Sequence, residues 1–120
     1  MLAGTVVEIV SQKRFDVYMQ GVVEQFSDGL KENATYNVAR IKDYKNLGTI
    51  YVGSGGKWVP RIDNYTATIP ERNLTFYRIG TNGGVFGPQG GLRASVRHLN
   101  NYMYMYINKG VLKNGKRLLS

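Results

Sequence analysis

Residues Gly87–Ser120 constrain this chain more than any other stretch. Leu92, Val96, Leu99, Met103 and Ile107 follow one another at steps of four, three, four and four, the spacing that aligns apolar side chains along one side of an α-helix. The pattern predicts a helix with that stripe facing the core. Ahead of it, Pro88 fixes one backbone angle and Gly90-Gly91 permit positive φ, so a sharp bend with bare backbone close to another segment is expected there. Gly110, after Asn108 and Lys109, stands where a helix stop belongs. Tyr102-Met103-Tyr104-Met105-Tyr106 also alternates with period two, as a strand would; helix is the preferred reading because its pattern runs further.

At 120 residues the chain fits one domain or part of a larger one. It contains no cysteine, which excludes a disulfide framework, a thiol nucleophile and a thiolate metal site and leaves the compartment unassigned. No run of about 18 apolar residues occurs, so no membrane span is expected. The start, Met1 to Glu8, has no basic leader and reaches an acid too early for a secretory signal. The net charge of +8 is one-sided. Residues 1–71 balance to zero, whereas 72–120 hold Arg72, Arg78, Arg93, Arg97, Lys109, Lys113, Lys116 and Arg117 against no acid. Such a field draws anions, nucleic acid included, unless it is a solvated surface or faces an acidic region of a longer chain.

Upstream, Leu2, Val6, Ile9 and Val10 suit a buried helix segment. After Ser11-Gln12-Lys13-Arg14 comes a second helical block with Phe15, Tyr18, Met19, Val22 and Phe26 on one side and Asp16 near its positive end. No glycine ends the first block, so the two are expected to run on with a kink. Ser27–Asn46 reads as irregular connector. Thr49–Val52 and Lys57–Val59 are β-prone runs joined by the loop Gly53-Ser54-Gly55-Gly56, with Pro60 ending the second strand or putting it at an edge. Residues 61–86 lack periodicity and predict a long surface loop.

Several ordered blocks resemble the serine β-lactamase family in its broad sense: class C β-lactamases, penicillin-binding DD-peptidases and family VIII esterases. Residues Pro88 to Leu99 resemble its P-x-G-G-L-x-(A/S)-S-x-x-x-L block, followed by a helix, an Asn/Gly turn and N-G-K-R-L-L-S. Ala3 to Met19 resembles the helix after the family's Tyr-x-Asn motif, and Leu30–Asn37 resembles its L-G-M-x-x-T-S-F segment. The resemblance implies an α+β chain: the mainly helical portion of a β-lactamase/transpeptidase-like fold, with a small β-hairpin and long loops, residues 1–120 forming a single partial domain. It also implies a hydrolase acting by acyl transfer, in which a serine of Ser-x-x-Lys attacks a β-lactam, D-Ala peptide or ester carbonyl.

Lookalikes of the family's three motifs occur as Ser54-Gly55-Gly56-Lys57, Tyr44-Lys45-Asn46 and Lys113-Asn114-Gly115, each out of the family's place. Ser54 and Lys57 fall in a glycine-rich loop, where the helical spacing that joins serine to lysine does not hold. The family's order puts the reacting groups before Met1 and after Ser120, so no catalytic residue is assigned within the chain. The expected contribution is scaffold and a wall of the active-site cleft, with Phe86, Pro88, Gln89, Gly90 and Gly91 at the lip, or these glycines only start the helix. The expected partners are the remainder of a parent hydrolase or a further copy of the chain, with a small acyl substrate in the parent. Ser95 can cap the helix, but His98 stands where the family has the acid of a capping box and Arg97 adds a cation to the first turn, a loss of about 1 kcal/mol.

His98, the only histidine, is expected to be a partly exposed helix residue rather than a general base. One histidine and no cysteine argue against zinc, and neither a phosphate-binding loop nor an EF-hand spacing occurs, so no cofactor is expected. Asn33, Asn64 and Asn73 begin glycosylation sequons. The other function class is a small basic domain binding nucleic acid or another polyanion through 72–120, with Tyr102, Tyr104 and Tyr106 stacking bases beside Arg93 and Arg97.

Overall fold

A computed structural model describes residues 2–27, 34–82 and 84–119. The order is helix α1 (Leu2–Ser11), helix α2 (Phe15–Phe26), two short 3-10 turns (Val38–Arg40 and Tyr44–Asn46), strands β1 (Ile50–Ser54) and β2 (Lys57–Ile62), and helix α3 (Val96–Ile107). Among the described residues this is an α+β arrangement of three helices and a two-stranded antiparallel sheet. The first part of the Leu30–Asn37 block, Asn33 included, lies outside the described residues. No described helix is long and apolar enough to cross a membrane.

α1 and α2 are separate helices and not one kinked rod, because Gln12 itself takes the left-handed conformation, φ 54°. Its side chain compensates by donating from Nε2 to the Ile9 carbonyl at 2.7 Å, filling one of the acceptors a helix end leaves open. α1 also presents an unexpected side. Leu2, Val6, Ile9 and Val10 are exposed, while Gly4 and Glu8 are buried. Gly4 faces Pro88 so closely that a Cβ would lie 2.5 Å from its Cγ. The Glu8 carboxylate accepts hydrogen bonds from the Phe15 amide at 2.7 Å, the Gly80 amide at 2.8 Å, the Asn82 amide at 3.3 Å and the Tyr77 hydroxyl. The short and polar side of α1 therefore packs inward, held by hydrogen bonds that a periodicity count does not register.

The core joins Val23 and Phe26 of α2 to Ala34, Met105 of α3 and Leu112, with Leu92, Ala94 and Leu118 packed around it. α3 is a helix, as its longer pattern predicts, but its buried face is His98, Asn101 and Met105. Of the expected stripe only Leu92, ahead of the helix, reaches the core; Val96, Leu99, Met103 and Ile107 are exposed. Tyr102 packs on Phe26 with ring centroids 5.6 Å apart, so α2 selects the face one residue round from the stripe. Gly110 ends the helix as expected: φ is 84°, its amide donates to the Met105 carbonyl at 2.9 Å, and a Cβ there would run into the Leu119 carbonyl.

The hairpin is longer and tighter than its composition suggests. Gly55 and Gly56 form a two-residue turn with φ of 56° and 75°, the type I′ geometry that matches strand twist. Ser54 and Lys57 thus pair across the ladder, and Pro60 lies inside β2 opposite Tyr51. With two strands among the described residues, Pro60 is at an edge, as expected. Of the loop expected over 61–86, Arg61 and Ile62 belong to β2 instead, and between Asp63 and Leu92 the described chain forms neither helix nor strand.

Candidate functional site

The bend before α3 is built as its residue types require, with one reassignment. The left-handed residue is Gly87, φ 52°, rather than Gly90 or Gly91. Gly91 is needed for close approach: its amide donates to the Gly87 carbonyl at 2.6 Å, and a Cβ on it would sit 2.7 Å from the Phe86 carbonyl oxygen. Beyond the bend, Arg93 exchanges both backbone hydrogen bonds with Thr35, each 2.9 Å, and its guanidinium forms a fork on Asp63, with Nε and Nη2 at 2.9 and 3.0 Å from the carboxylate oxygens. The Asp63 side chain is 5% exposed, and the residue adopts φ 58° at the foot of the hairpin. The pair therefore ties the base of β2 to the entry of α3.

Between these two elements lies an open cleft of about 670 Å³. One wall is aliphatic, with Ile41, Leu47, Ile50 and Ile62; the other is the segment Gly90–His98, which contributes Leu92, Arg93, Ser95 and Arg97. Apolar walls with a few convergent polar groups suit a small, partly apolar ligand. Of the five residues expected at a cleft lip, Gly90 lines this space. Gln89 is exposed, Pro88 leans on α1, and Gly91 closes the bend. Phe86 is turned inward at 1% exposure, with the guanidiniums of Arg14 and Arg72 over its ring at 5.3 and 5.7 Å and the edge of Tyr77 at 5.9 Å.

Among the residues lining the cleft, Ser95 and His98 meet. Ser95 Oγ lies 2.7 Å from His98 Nδ1, the Ser95 amide donates to Nδ1 at 3.2 Å, and the His98 amide donates to Ser95 Oγ at 3.4 Å. Nδ1 accepts the Ser95 amide proton, so it is the unprotonated ring nitrogen and the serine hydroxyl donates to it. The imidazole thus completes the capping box that an acid would otherwise complete, and His98 is 1% exposed. Both expectations for this residue are corrected: the cap is intact, and the histidine is buried. A hydroxyl on an imidazole nitrogen is also the pairing used by nucleophilic catalysts. Here each partner also bonds a backbone amide of the cap, which accounts for the contact structurally. The spacing Ser-x-x-His was the legible signal; that a histidine could replace the acid was not.

The lookalike motifs occupy separate places. Ser54 and Lys57 flank the exposed hairpin turn, the Tyr44 hydroxyl donates to the Thr66 carbonyl at 3.0 Å, and Lys113 Nζ lies 5.8 Å from the Tyr104 ring. None of these four lines the cleft, though Asn46 does. The tyrosines of α3 diverge as well, Tyr102 toward Phe26 and Tyr106, Tyr104 toward Lys113. Asn64 and Asn73 are exposed.

Fold and site together define a small α+β protein with an open, aliphatic-walled cleft between a hairpin and the start of a helix. No family model, curated protein or solved structure matches the chain.

Proposed function

We propose that the chain forms the helical scaffold and one wall of the substrate cleft in a β-lactamase-like serine hydrolase, with the Ser-x-x-Lys, Tyr-x-Asn and Lys/His-x-Gly groups contributed by other polypeptide. The observation that carries this reading is the pair of uncovered apolar helix faces. Leu2, Val6, Ile9 and Val10 on α1, and Val96, Leu99, Met103 and Ile107 on α3, are all exposed, and large apolar side chains left along a helix face are the kind of surface that other polypeptide covers. The ordered resemblance blocks supply the chemical class. The cleft beside Gly90 receives the small acyl portion of a substrate against Ile50, Ile62 and Leu92, with Arg97 also on its lining.

Labelling with a fluorescent penicillin and with an activated ester tests this. The chain alone takes up neither label, whereas a longer reading frame carrying Ser-x-x-Lys is acylated at that serine. Covalent labelling of the chain by itself, or a reading frame without Ser-x-x-Lys, defeats the reading.

A second reading has its own support. Lys109, Lys113, Lys116 and Arg117 gather in the turn after α3, where Arg117 Nη1 donates to the Lys109 carbonyl at 2.6 Å. A polyanion such as nucleic acid is the ligand this turn would take. Binding that weakens steeply with salt is its signature, and no retention of single-stranded DNA at low salt disposes of it.

A further inference from the structure

The two edges of the hairpin are unequal. In an antiparallel pair closed by a two-residue turn, the residues flanking the turn exchange both hydrogen bonds, and bonded and non-bonded pairs alternate from there. Ser54–Lys57 and Val52–Val59 are therefore the bonded pairs, while Gly53–Trp58 and Tyr51–Pro60 point their backbone groups outward. On the β2 edge one of those outward positions is Pro60, which has no N–H to offer, and the strand also carries Lys57 and Arg61. Proline and charge are the devices that keep an edge from pairing. The β1 edge has neither: Ile50-Tyr51-Val52-Gly53-Ser54 is uncharged, and the outward amides and carbonyls of Tyr51 and Gly53 have no ladder partner among the described residues.

The same strand carries a gap and a side chain that fits it. Gly53 stands opposite Trp58, and a Cβ at Gly53 would meet nothing within 4 Å. Trp58 is 77% exposed and Tyr51, two residues from Gly53 and on the same face, is 52% exposed. An aromatic side chain laid across a strand glycine is a known means of fixing register.

We infer that β1 is a self-pairing edge: it joins, antiparallel and about a two-fold axis at Val52, to β1 of a second copy of this chain. In that register Tyr51 of each copy lies opposite Gly53 of the other, their outward amides and carbonyls exchange hydrogen bonds, and the Tyr51 ring fills the space beside the other copy's Trp58. Lys57 and Arg61 remain on the outer strands, so no like charges are brought together. A second copy, rather than an unrelated strand, is the occupant because gap and ring lie at equal distances either side of Val52. This inference does not depend on the hydrolase reading.

The chain has no cysteine, so single thiols report the register. In a Val52→Cys chain the two Cα atoms meet at the roughly 4.5 Å of a non-bonded pair, within disulfide range. In a Ser54→Cys chain each cysteine faces Ile50 of the other copy and the two thiols are offset by roughly 13 Å along the strand, beyond it. Mild oxidation is expected to convert Val52→Cys to a covalent dimer and leave Ser54→Cys monomeric. The single tryptophan gives an independent readout: emission of the unmodified chain shifts to the blue as concentration rises, and a Tyr51→Lys chain with unchanged helical circular dichroism loses the shift. Equal cross-linking of both cysteine variants, no cross-linking of either, or sedimentation of the unmodified chain as a monomer at every concentration overturns the inference.

Discussion

A carboxylate taken out of water needs enough donors to replace its hydration, and Glu8 draws four of them from two stretches of the chain, the start of α2 and residues 77–82. The Phe15, Gly80 and Asn82 amides and the Tyr77 hydroxyl converge on it while it is wholly buried. Glu8→Ala leaves those donors without an acceptor, and at about 1–3 kcal/mol for an unsatisfied buried group a loss of about 3 kcal/mol is expected; an unchanged urea midpoint would contradict it. Tyr77 feels the same contact. Burial, and then the hydrogen bond to Glu8, push its phenol well above the ordinary tyrosine range. Because the folded chain holds that proton more tightly than the unfolded chain, this contribution is complete below the unfolded value and declines as pH rises above about 10. The loss of melting temperature as pH rises above about 10 should accordingly be smaller in Tyr77→Phe than in the unmodified chain; parallel profiles would show that Tyr77 is not responsible. The sequence displayed Glu8 only as an acid in an apolar block, because three of its four partners lie 69 to 74 residues away.

Helices and hairpin are held to one another at a few tight contacts. α1 meets the bend before α3 where Gly4 faces Pro88, and a methyl group there would lie 2.5 Å from Pro88 Cγ and 2.9 Å from Asn82 Nδ2. The proline ring is stiff, so Gly4→Ala should lose about 1–3 kcal/mol by overpacking even though alanine is the better helix former; a gain in stability would mean that the bend yields. The hairpin is anchored by the Arg93–Asp63 fork. Arg93→Leu strands a carboxylate that is 5% exposed, and because the arginine side chain itself is 24% exposed the low end of the usual range applies, about 3 kcal/mol. Amide exchange in β1 and β2 should rise well before that of α2, and uniform protection would refute the anchor. Helix positions, the hairpin and the stop at Gly110 were legible because periodicity, turn glycines and β-branched runs are local. The kink expected between α1 and α2 was not found, since a non-glycine residue, Gln12, takes the left-handed turn with help from its own side chain.

For the molecule as a whole, the decisive property is which helix faces are covered. Met105 is 1% exposed within the core, so Met105→Ala should lose about 2–5 kcal/mol. Leu99, in the stripe expected to be buried, is 50% exposed, so Leu99→Lys should change stability by less than about 0.5 kcal/mol while raising solubility. The reverse order in chemical denaturation would restore the stripe to the core. The cleft was half legible: its bend and the cap serine stand in the chain, but Asp63, Ile50 and Ile62 come to it from a hairpin that no motif linked to α3. By itself the sequence determined which blocks are helical, where the hairpin falls and that α3 stops at Gly110, because helix periodicity, β-prone runs and a glycine stop act over a few residues. Only the tertiary structure decided which side of α1 and α3 turns inward, that His98 serves the cap, and that Glu8 and Asp63 are buried anchors, because each outcome depends on donors and surfaces supplied from far along the chain.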